Sequence, residues 1–200
     1  MTAAAQHLQP GFADPVHDAQ RAFRAALNTL ARPGQRVDLG QSIPGLALSA
    51  AMAHLLLALT DNGSAVWWQD GGAATAQWLR FHTGAGVAPT PQAAAFASIL
   101  DPAGMPALEA FTQGTAESPE LSGTLLIEVR SFNEGPALRW HGPGIANGCG
   151  VRLDGVPPGF WTHWQANHAR FPQGVDVIFT CGAQALGLPR TTRVSPVGKA

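Results

Sequence analysis

The chain has 200 residues, of which 46% are hydrophobic and 12% are charged, and its formal net charge is −1 at pH 7. A nearly neutral chain offers neither the basic surface that binds nucleic acid nor the cationic face that binds an anionic membrane. The length predicts a single domain over residues 1–200, because one continuous hydrophobic core serves chains of this size.

The first predicted helix covers residues 14–30, where apolar side chains recur at helical spacing. Asp14 supplies an N-cap, and Pro15 follows in the first helical position, where proline is favoured. The helix should end at residues 32–34, because proline cannot continue the hydrogen bonding and glycine permits a left-handed turn. A short strand is expected at residues 36–39.

A second helix is predicted over residues 43–60, with Ser42 as its N-cap and Pro44 in its first turn. Its composition is mostly apolar, which indicates a buried helix. Residues 65–68 then indicate a short apolar strand. After a glycine pair, residues 73–80 indicate one or two further helical turns.

The middle of the chain contains the clearest strand of the sequence, residues 124–131, which is rich in β-forming residues and is expected to be central in the sheet. Residues 89–97 are ambiguous between helix and strand, and we expect a strand over 96–100. Residues 137–140 are a candidate hairpin partner of the central strand, and 142–145 form a turn.

The last predicted helix covers residues 160–170 and turns Phe160, Trp161 and Trp164 toward the core. Residues 175–181 are nearly all apolar and are expected to form the last strand, buried on both faces. Helices and strands therefore interleave along the chain. This pattern predicts an α/β fold, a three-layer αβα sandwich on a mixed sheet.

Several absences limit the chemistry that this chain can perform. Cys149 and Cys181 are too few for a disulfide framework, and the histidine spacing does not suit a metal ion, so no metal site is expected. The only lysine is Lys199, near the C-terminus, which argues against a Schiff-base lysine. Residues 1–9 lack the features of a signal peptide, and the apolar run 46–59 is shorter than the roughly 20 residues of a membrane span. We therefore expect a cytoplasmic protein.

Known catalytic motifs are missing as well. The Gly84-Ala85-Gly86 segment lacks the third glycine of a dinucleotide-binding fingerprint. There is also no P-loop and no nucleophile elbow of the G-x-S-x-G type. No residue is therefore assigned as catalytic.

Short polar and glycine-rich segments remain at the ends of the predicted elements, and arginine in such places can bind phosphate or carboxylate through two N–H groups. The ligand-binding candidates are Arg24, Asp61, Arg80, His82, Arg190 and Arg193. Arg80 with His82 is the preferred pair, because it joins a fixed cation to a titratable group. Each arginine could instead satisfy carbonyls or carboxylates within the fold. His54 and Trp78 fit the core better.

Eight segments, taken together and in order, resemble the H subunit of the bacterial carbon-phosphorus lyase core complex. They are residues 11–15 (GFADP), 20–24 (QRAFR), 31–34 (ARPG), 55–61, 78–84 (WLRFHTG), 142–145 (GPGI), 171–176 (FPQGVD) and 188–193 (LPRTTR). No single segment is diagnostic, and the resemblance depends on their order over nearly the whole chain. The sequence departs from the family pattern after Asp61, where Asn62-Gly63 stands in place of an expected acidic residue.

The resemblance implies a fold similar to that of the pyridoxal-phosphate-dependent transferases, without the cofactor. It also implies assembly as a homodimer or within a larger complex with the G, I and J subunits. In that family the assembly forms a ribose 1-phosphonate 5-triphosphate from ATP and an alkylphosphonate. The H subunit is a required accessory that is not expected to be catalytic alone, and a nucleotide or a phosphonate is its candidate ligand. No cofactor is expected, and the single lysine agrees with this independently.

The low charged fraction is about half of that in ordinary soluble proteins and indicates a surface partly covered by partner subunits. A neutral surface of small residues explains the composition equally well. Two other functions stay open. One is an independent transferase that binds a phosphorylated small molecule near Arg80, His82 and Arg190. The other is a purely structural dimer that binds no ligand.

Overall fold

The computed structural model describes residues 9–197. Residues 1–8, which form most of the segment without signal-peptide features, and Lys199 lie outside the described residues. The described part of the chain has four α-helices: α1 (Pro15–Ala31), α2 (Ala50–Leu59), α3 (Ala73–Thr83) and α4 (Phe160–Ala169). No helix of this region is both long and apolar enough to cross a bilayer.

The same residues form ten strands. The first five are β1 (Arg36–Asp38), β2 (Ala65–Trp68), β3 (Gly86–Val87), β4 (Phe96–Ile99) and β5 (Thr124–Glu128). The other five are β6 (Ala137–His141), β7 (Cys149–Arg152), β8 (Asp176–Cys181), β9 (Gln184–Leu188) and β10 (Arg193–Pro196).

Seven strands form the main sheet, in the order β1-β9-β8-β5-β4-β2-β3. Strands β8, β5, β4, β2 and β3 are parallel to one another, whereas β9 and β1 are antiparallel to their neighbours. The sheet is therefore mixed, as predicted. Strand β5 lies in the middle of the order, which confirms the central position expected for the clearest strand of the sequence.

The predicted hairpin between residues 124–131 and 137–140 is wrong. Strand β6 pairs instead with β7 and β10 in a separate three-stranded antiparallel sheet. The reason lies in the main sheet, where β4 and β8 occupy both edges of β5 and leave no backbone groups for a third partner.

The two faces of the main sheet are covered differently. One hydrophobic cluster joins α1, α2 and α3 to the sheet, with Met52, Leu55 and Leu56 fully buried in it. The other cluster joins α4 and the small sheet to the opposite face, around Trp140 and Trp164. The fold is thus α/β, with helices on one side and a helix combined with an antiparallel sheet on the other.

Helix α1 begins as its sequence predicts. The carboxylate of Asp14 accepts a hydrogen bond from the backbone N–H of His17 at 3.1 Å, and Pro15 occupies the first helical position. This backbone hydrogen bond, together with the one from the His17 ring, lowers the pKa of Asp14. The predicted end of the helix at residues 32–34 is also confirmed.

Helix α2 is shorter than predicted and begins at Ala50 rather than at residue 43. Its N-cap is Ser49, whose hydroxyl accepts from the backbone N–H of Met52 at 3.3 Å, so Ser42 has no capping role. Gly45 has φ +75°, a left-handed conformation that interrupts any helix begun at Pro44. Both Ser42 and Ser49 are residues that favour an N-cap. The left-handed conformation of Gly45 prevents a helix from continuing from Ser42, so the helix begins after Ser49.

The elements after β7 have the predicted types, but there are more strands than predicted. Helix α4 buries Phe160 and Trp164 as predicted, while Trp161 is half-buried. The prediction that residues 175–181 form the last strand is wrong, because β9 and β10 follow.

Strand β9 packs closely against α1 at Gly187. A Cβ at this position would come within 2.3 Å of the carbonyl oxygen of Thr29 in α1. Glycine therefore serves close packing here, although in a sequence it weakens a strand signal.

Candidate functional site

The described region contains a cavity with a volume of about 660 Å³. It lies between the segment 10–13, the first turns of α1 and the loop 38–44, and it includes His54 of α2. Its surface is mostly apolar, and its charged residues are Asp18, Arg21 and Asp38. Ligand sites commonly combine such a concave apolar surface with a few polar groups.

Helix α3 holds the segment that forms one wall of this cavity. The indole Nε1 of Trp78 donates to the carbonyl oxygen of Pro10 at 3.0 Å, and the ring Nε2 of His82 donates to the carbonyl oxygen of Gln9 at 3.1 Å. Gly11 lies against the His82 ring, where a Cβ would come within 2.8 Å of Nδ1. This wall of the cavity is therefore held by the hydrogen bonds of Trp78 and His82 and by the close packing of Gly11 against the His82 ring.

The opposite side of the cavity is organised by His54. Its Nδ1 forms a hydrogen bond with the carbonyl oxygen of Leu39, and its ring makes an edge contact with Phe12, with centroids 5.3 Å apart. The loop is closed by the backbone N–H of Gly40, which donates to Oδ1 of Asp38 at 2.8 Å. His54 is half-buried and lines the cavity, rather than lying in the core as predicted.

Three of the segments that carry the family resemblance meet at this cavity. Residues 11–13 of the first segment and Arg21 of the second line it, and Trp78 with His82 of the fifth hold its wall. These segments lie far apart along the chain, and no local pattern indicates that they converge. Trp78 itself is buried, at 2% exposure, as predicted.

The preferred pair, Arg80 and His82, lies near the C-terminal end of α3. Arg80 is exposed, and its guanidinium makes no hydrogen bond or ion pair with any residue from 9 to 197. His82 is also exposed, although its Nε2 is engaged with Gln9 and its ring contacts Trp78 and Phe81. The two side chains therefore differ, since Arg80 has its donors available and His82 has a structural contact.

Arg190 lies elsewhere, in a network that uses every N–H of its guanidinium. Nε and one terminal nitrogen bind the carboxylate of Asp176, at 3.2 and 2.5 Å. The other donors reach the hydroxyl of Ser122 and the carbonyl oxygens of Pro119 and Pro172, the last two at 3.0 and 3.2 Å. Its side chain is 12% exposed. These contacts include neither Arg80 nor His82, and they leave no N–H of the guanidinium for a ligand shared with those residues.

The other candidates are dispersed. Arg24 is exposed on α1. Asp61 accepts from the backbone N–H of Gly63 at 2.9 Å and from the hydroxyl of Ser64 at 3.0 Å, which closes the turn after α2. Arg193 is exposed on β10 and contacts Nε2 of His168 at 3.3 Å.

Glu128, the last residue of β5, is a polar centre that the sequence does not predict. Its Oε2 accepts from the hydroxyls of Ser49 and Thr180, at 2.6 and 2.5 Å, and its Oε1 accepts from the backbone N–H of Gly182 at 3.4 Å. The carboxylate thus joins the start of α2 to the carboxyl ends of the two central strands. In the sequence, the signal for this polar centre is an acidic residue at the end of an apolar strand. Burial, followed by the charge of Glu128, raises the pKa of the neighbouring Cys181 thiol.

The described residues contain no group of three or more His, Cys, Asp or Glu side chains placed to hold a metal ion. The Cys149 thiol is half-buried beside Gly34, and burial raises its pKa. The cavity at residues 10–13 therefore remains the most developed candidate site of this region.

Comparison with known proteins gives consistent matches. The family model described as "Bacterial phosphonate metabolism protein (PhnH)" matches residues 10–195. The chain is 38% identical over 197 residues to the alpha-D-ribose 1-methylphosphonate 5-triphosphate synthase subunit PhnH of Rhizobium meliloti (strain 1021), covering 97% of this chain and 98% of that protein. It is 40% identical over 85 residues to the putative C-P lyase subunit protein HtxG of Stutzerimonas stutzeri, covering 42% and 44% of the two chains.

Proposed function

The chain belongs to the PhnH family of bacterial phosphonate metabolism proteins, and on this basis we propose that it is a subunit of an alpha-D-ribose 1-methylphosphonate 5-triphosphate synthase in phosphonate catabolism. The observation that carries the proposal is the 38% identity to such a subunit over 97% of this chain. The family match over residues 10–195 spans the main sheet and the three segments that meet at the cavity.

We propose an accessory role, in which the chain supports the reaction without performing it alone. The arrangement of the six candidate residues supports this. Arg190 is saturated by internal partners, Asp61 closes a turn, and the other four are exposed on three different elements, α1, α3 and β10. Arg24 and Arg80 are the candidates best able to reach a nucleotide, a phosphonate or an acidic partner surface, because both are exposed and neither guanidinium donates within residues 9–197.

The proposed partners are a second copy of the chain and the G, I and J subunits of the carbon-phosphorus lyase core complex. An exposed apolar row on α1 supports such contacts. Val16, Phe23 and Leu27 are 63%, 46% and 53% exposed and lie on one side of the helix, because spacings of seven and four residues return to the same face. Rows of this kind are typical of surfaces that associate.

Several finer features belong to the same proposal. The chain forms one domain, since both hydrophobic clusters pack on the same seven-stranded sheet. The mixed sheet with a helical face supports a relation to the pyridoxal-phosphate-dependent transferase fold without the cofactor. We also propose a cytoplasmic location, where the assembly would meet its nucleotide substrate.

Growth on methylphosphonate as the only phosphorus source tests the proposal. A bacterial host that lacks its own relative of this chain should grow when this chain is supplied. Tagged chain should also copurify with the coexpressed G, I and J subunits. A soluble, folded chain that neither restores growth nor retains any of these subunits would contradict the proposal.

Substitutions on α1 test whether its apolar row contributes to association. Phe23→Ser should reduce copurification because it removes an aromatic ring from the apolar row. Asn28→Ser changes an exposed polar residue on another side of the same helix and should leave copurification unchanged, because a spacing of five residues from Phe23 does not return to the same face. Equal retention by both variants would place the contact on another surface.

A further inference from the structure

The cavity between residues 10–13, α1 and the loop 38–44 contains hydrogen-bond acceptors that receive no donor from residues 9–197. Asp38 uses its Oδ1 to accept from the backbone N–H of Gly40 at 2.8 Å. Its Oδ2 has no hydrogen-bond partner among residues 9–197. One carboxylate oxygen is therefore available to a donor that enters the cavity.

His54 supplies a second acceptor. Its Nδ1 faces the carbonyl oxygen of Leu39, and because a carbonyl only accepts, this nitrogen carries the proton. In the neutral imidazole the other nitrogen, Nε2, is then an acceptor. It makes no hydrogen bond within the described part of the chain.

The charge of the lining favours the same kind of ligand. Asp18 and Arg21 form an ion pair through Oδ1 and a terminal guanidinium nitrogen, and Asp18 also accepts from the backbone N–H of Asp14 at 2.9 Å. Asp38 has no such cationic partner in the described residues. Two aspartates and one arginine line the cavity, so with a neutral His54 its formal charge is −1, which opposes a phosphate or carboxylate.

The remaining walls suit a flat apolar body. Phe12, Leu39 and Ile43 line the cavity, and the ring of Phe12 meets that of His54 at 66°. The volume of about 660 Å³ lies within the usual range for small organic ligands, roughly 300–1,000 Å³.

We propose that this cavity binds a planar organic ligand whose N–H-bearing edge is neutral or cationic, as in an amidine or an amino-substituted heterocycle. The edge donates to Asp38 and His54, and the flat body packs against Phe12 and Ile43. The inference depends on the geometry of this cavity alone and does not require the proposed place in a synthase.

Calorimetric titration of the full chain with benzamidine and with benzoate tests whether the cavity prefers a cationic or an anionic ligand. The two probes share a flat ring and differ in the charge of the attached group. Benzamidine should bind about tenfold or more tightly than benzoate, because only the amidinium can donate to an acceptor-rich site. Benzoate binding as tightly as benzamidine, or no heat from either probe at its solubility limit, would overturn the proposal.

Matched variants locate the binding. Asp38→Asn should weaken benzamidine about tenfold, because it replaces a charge-assisted hydrogen bond. Asp70→Asn changes an exposed aspartate outside the cavity and should leave the affinity unchanged. His54→Ala provides a second variant, which should also weaken benzamidine. Circular dichroism must show that each variant is folded, and an unchanged affinity in both folded cavity variants would place the probe elsewhere.

Discussion

Arg190 holds the carboxylate of Asp176 with two side-chain N–H groups and with its own backbone N–H, the last at 2.7 Å. Asp176 is the first residue of β8, next to the central strand, so this contact ties the chain after β9 to the start of a buried strand. The same guanidinium reaches Ser122, Pro119 and Pro172. One side chain thereby connects two other segments, residues 119–122 and Pro172, to the strand.

Replacing Arg190 by alanine should lower the free energy of unfolding by about 2–4 kcal/mol, because the largely buried carboxylate of Asp176 loses its cationic partner and keeps only the backbone N–H of residue 190. Urea unfolding followed by circular dichroism measures this. Arg193→Ala removes an exposed arginine with one described polar contact and should change stability by less than about 0.5 kcal/mol. An Arg190→Ala protein of normal stability that fails to restore growth would favour a ligand-binding role instead.

Replacing Trp78 by phenylalanine should loosen the wall of the cavity, because the indole donor to Pro10 is lost. The matched control is Trp140→Phe, which removes the same volume from a buried indole whose Nε1 has no partner in the described structure. Trp78→Phe should cost about 1 kcal/mol more than Trp140→Phe, the usual net contribution of one hydrogen bond. Amide hydrogen exchange at residues 11–13 should become faster only in the Trp78 variant. Equal exchange in both would show that this hydrogen bond does not hold the segment.

Replacing Glu128 by glutamine should lower the free energy of unfolding by about 1–3 kcal/mol, because two hydroxyl donors lose a charged acceptor. Thermal unfolding measured by calorimetry provides the test. Glu120→Gln, at an exposed position, should have little effect. A loss of growth with unchanged stability in Glu128→Gln would indicate that the carboxylate acts in the assembly rather than in the fold.

Adding a methyl group at Gly187 should displace α1 from the sheet, because the new Cβ would come within 2.3 Å of the Thr29 carbonyl oxygen. Overpacking of this kind typically costs about 1–3 kcal/mol. Gly150→Ala is the matched control, since nothing lies within 4 Å of a Cβ at that strand position. The melting temperature should fall only for Gly187→Ala. Similar melting temperatures for the two variants would mean that α1 moves without cost.

The N-cap at Asp14 should make stability depend on pH. Its pKa is lowered, first by the backbone hydrogen bond from His17. A lowered folded pKa gives stability that is present above the unfolded value, roughly 4, and is lost as the pH falls through the folded value. Asp14→Asn keeps a capping oxygen without titrating, so its unfolding free energy should fall less as the pH drops from about 5 to about 2, across that unfolded value. Parallel pH profiles for both proteins would contradict this.

The sequence predicted those parts of the fold that depend on neighbouring residues. The start of α1 follows from Asp14 and Pro15, and the central strand follows from its composition. Prediction failed where contacts between distant segments determine the structure. Gly187 weakens the signal of β9, yet its lack of a side chain is what allows α1 to approach.

The candidate site shows the same limit. An arginine at the end of an element is compatible with ligand binding, and only the structure shows that Arg190 uses all its donors on four neighbouring residues. Asp38 and His54 belong to different elements, and neither lies in a recognisable motif. Their meeting at one cavity depends on how α2 packs beside β1 and the loop that follows it.

The edges of the main sheet limit how this molecule can join others. Its outermost strands, β1 and β3, have three and two residues, so neither offers a long row of unpaired backbone groups to a neighbouring strand. Association is therefore expected to involve side chains on the outer faces rather than continuation of the sheet from one molecule to the next. Such contacts are specific to the shape of the partner, which allows a charge-poor protein to assemble without forming open-ended fibres.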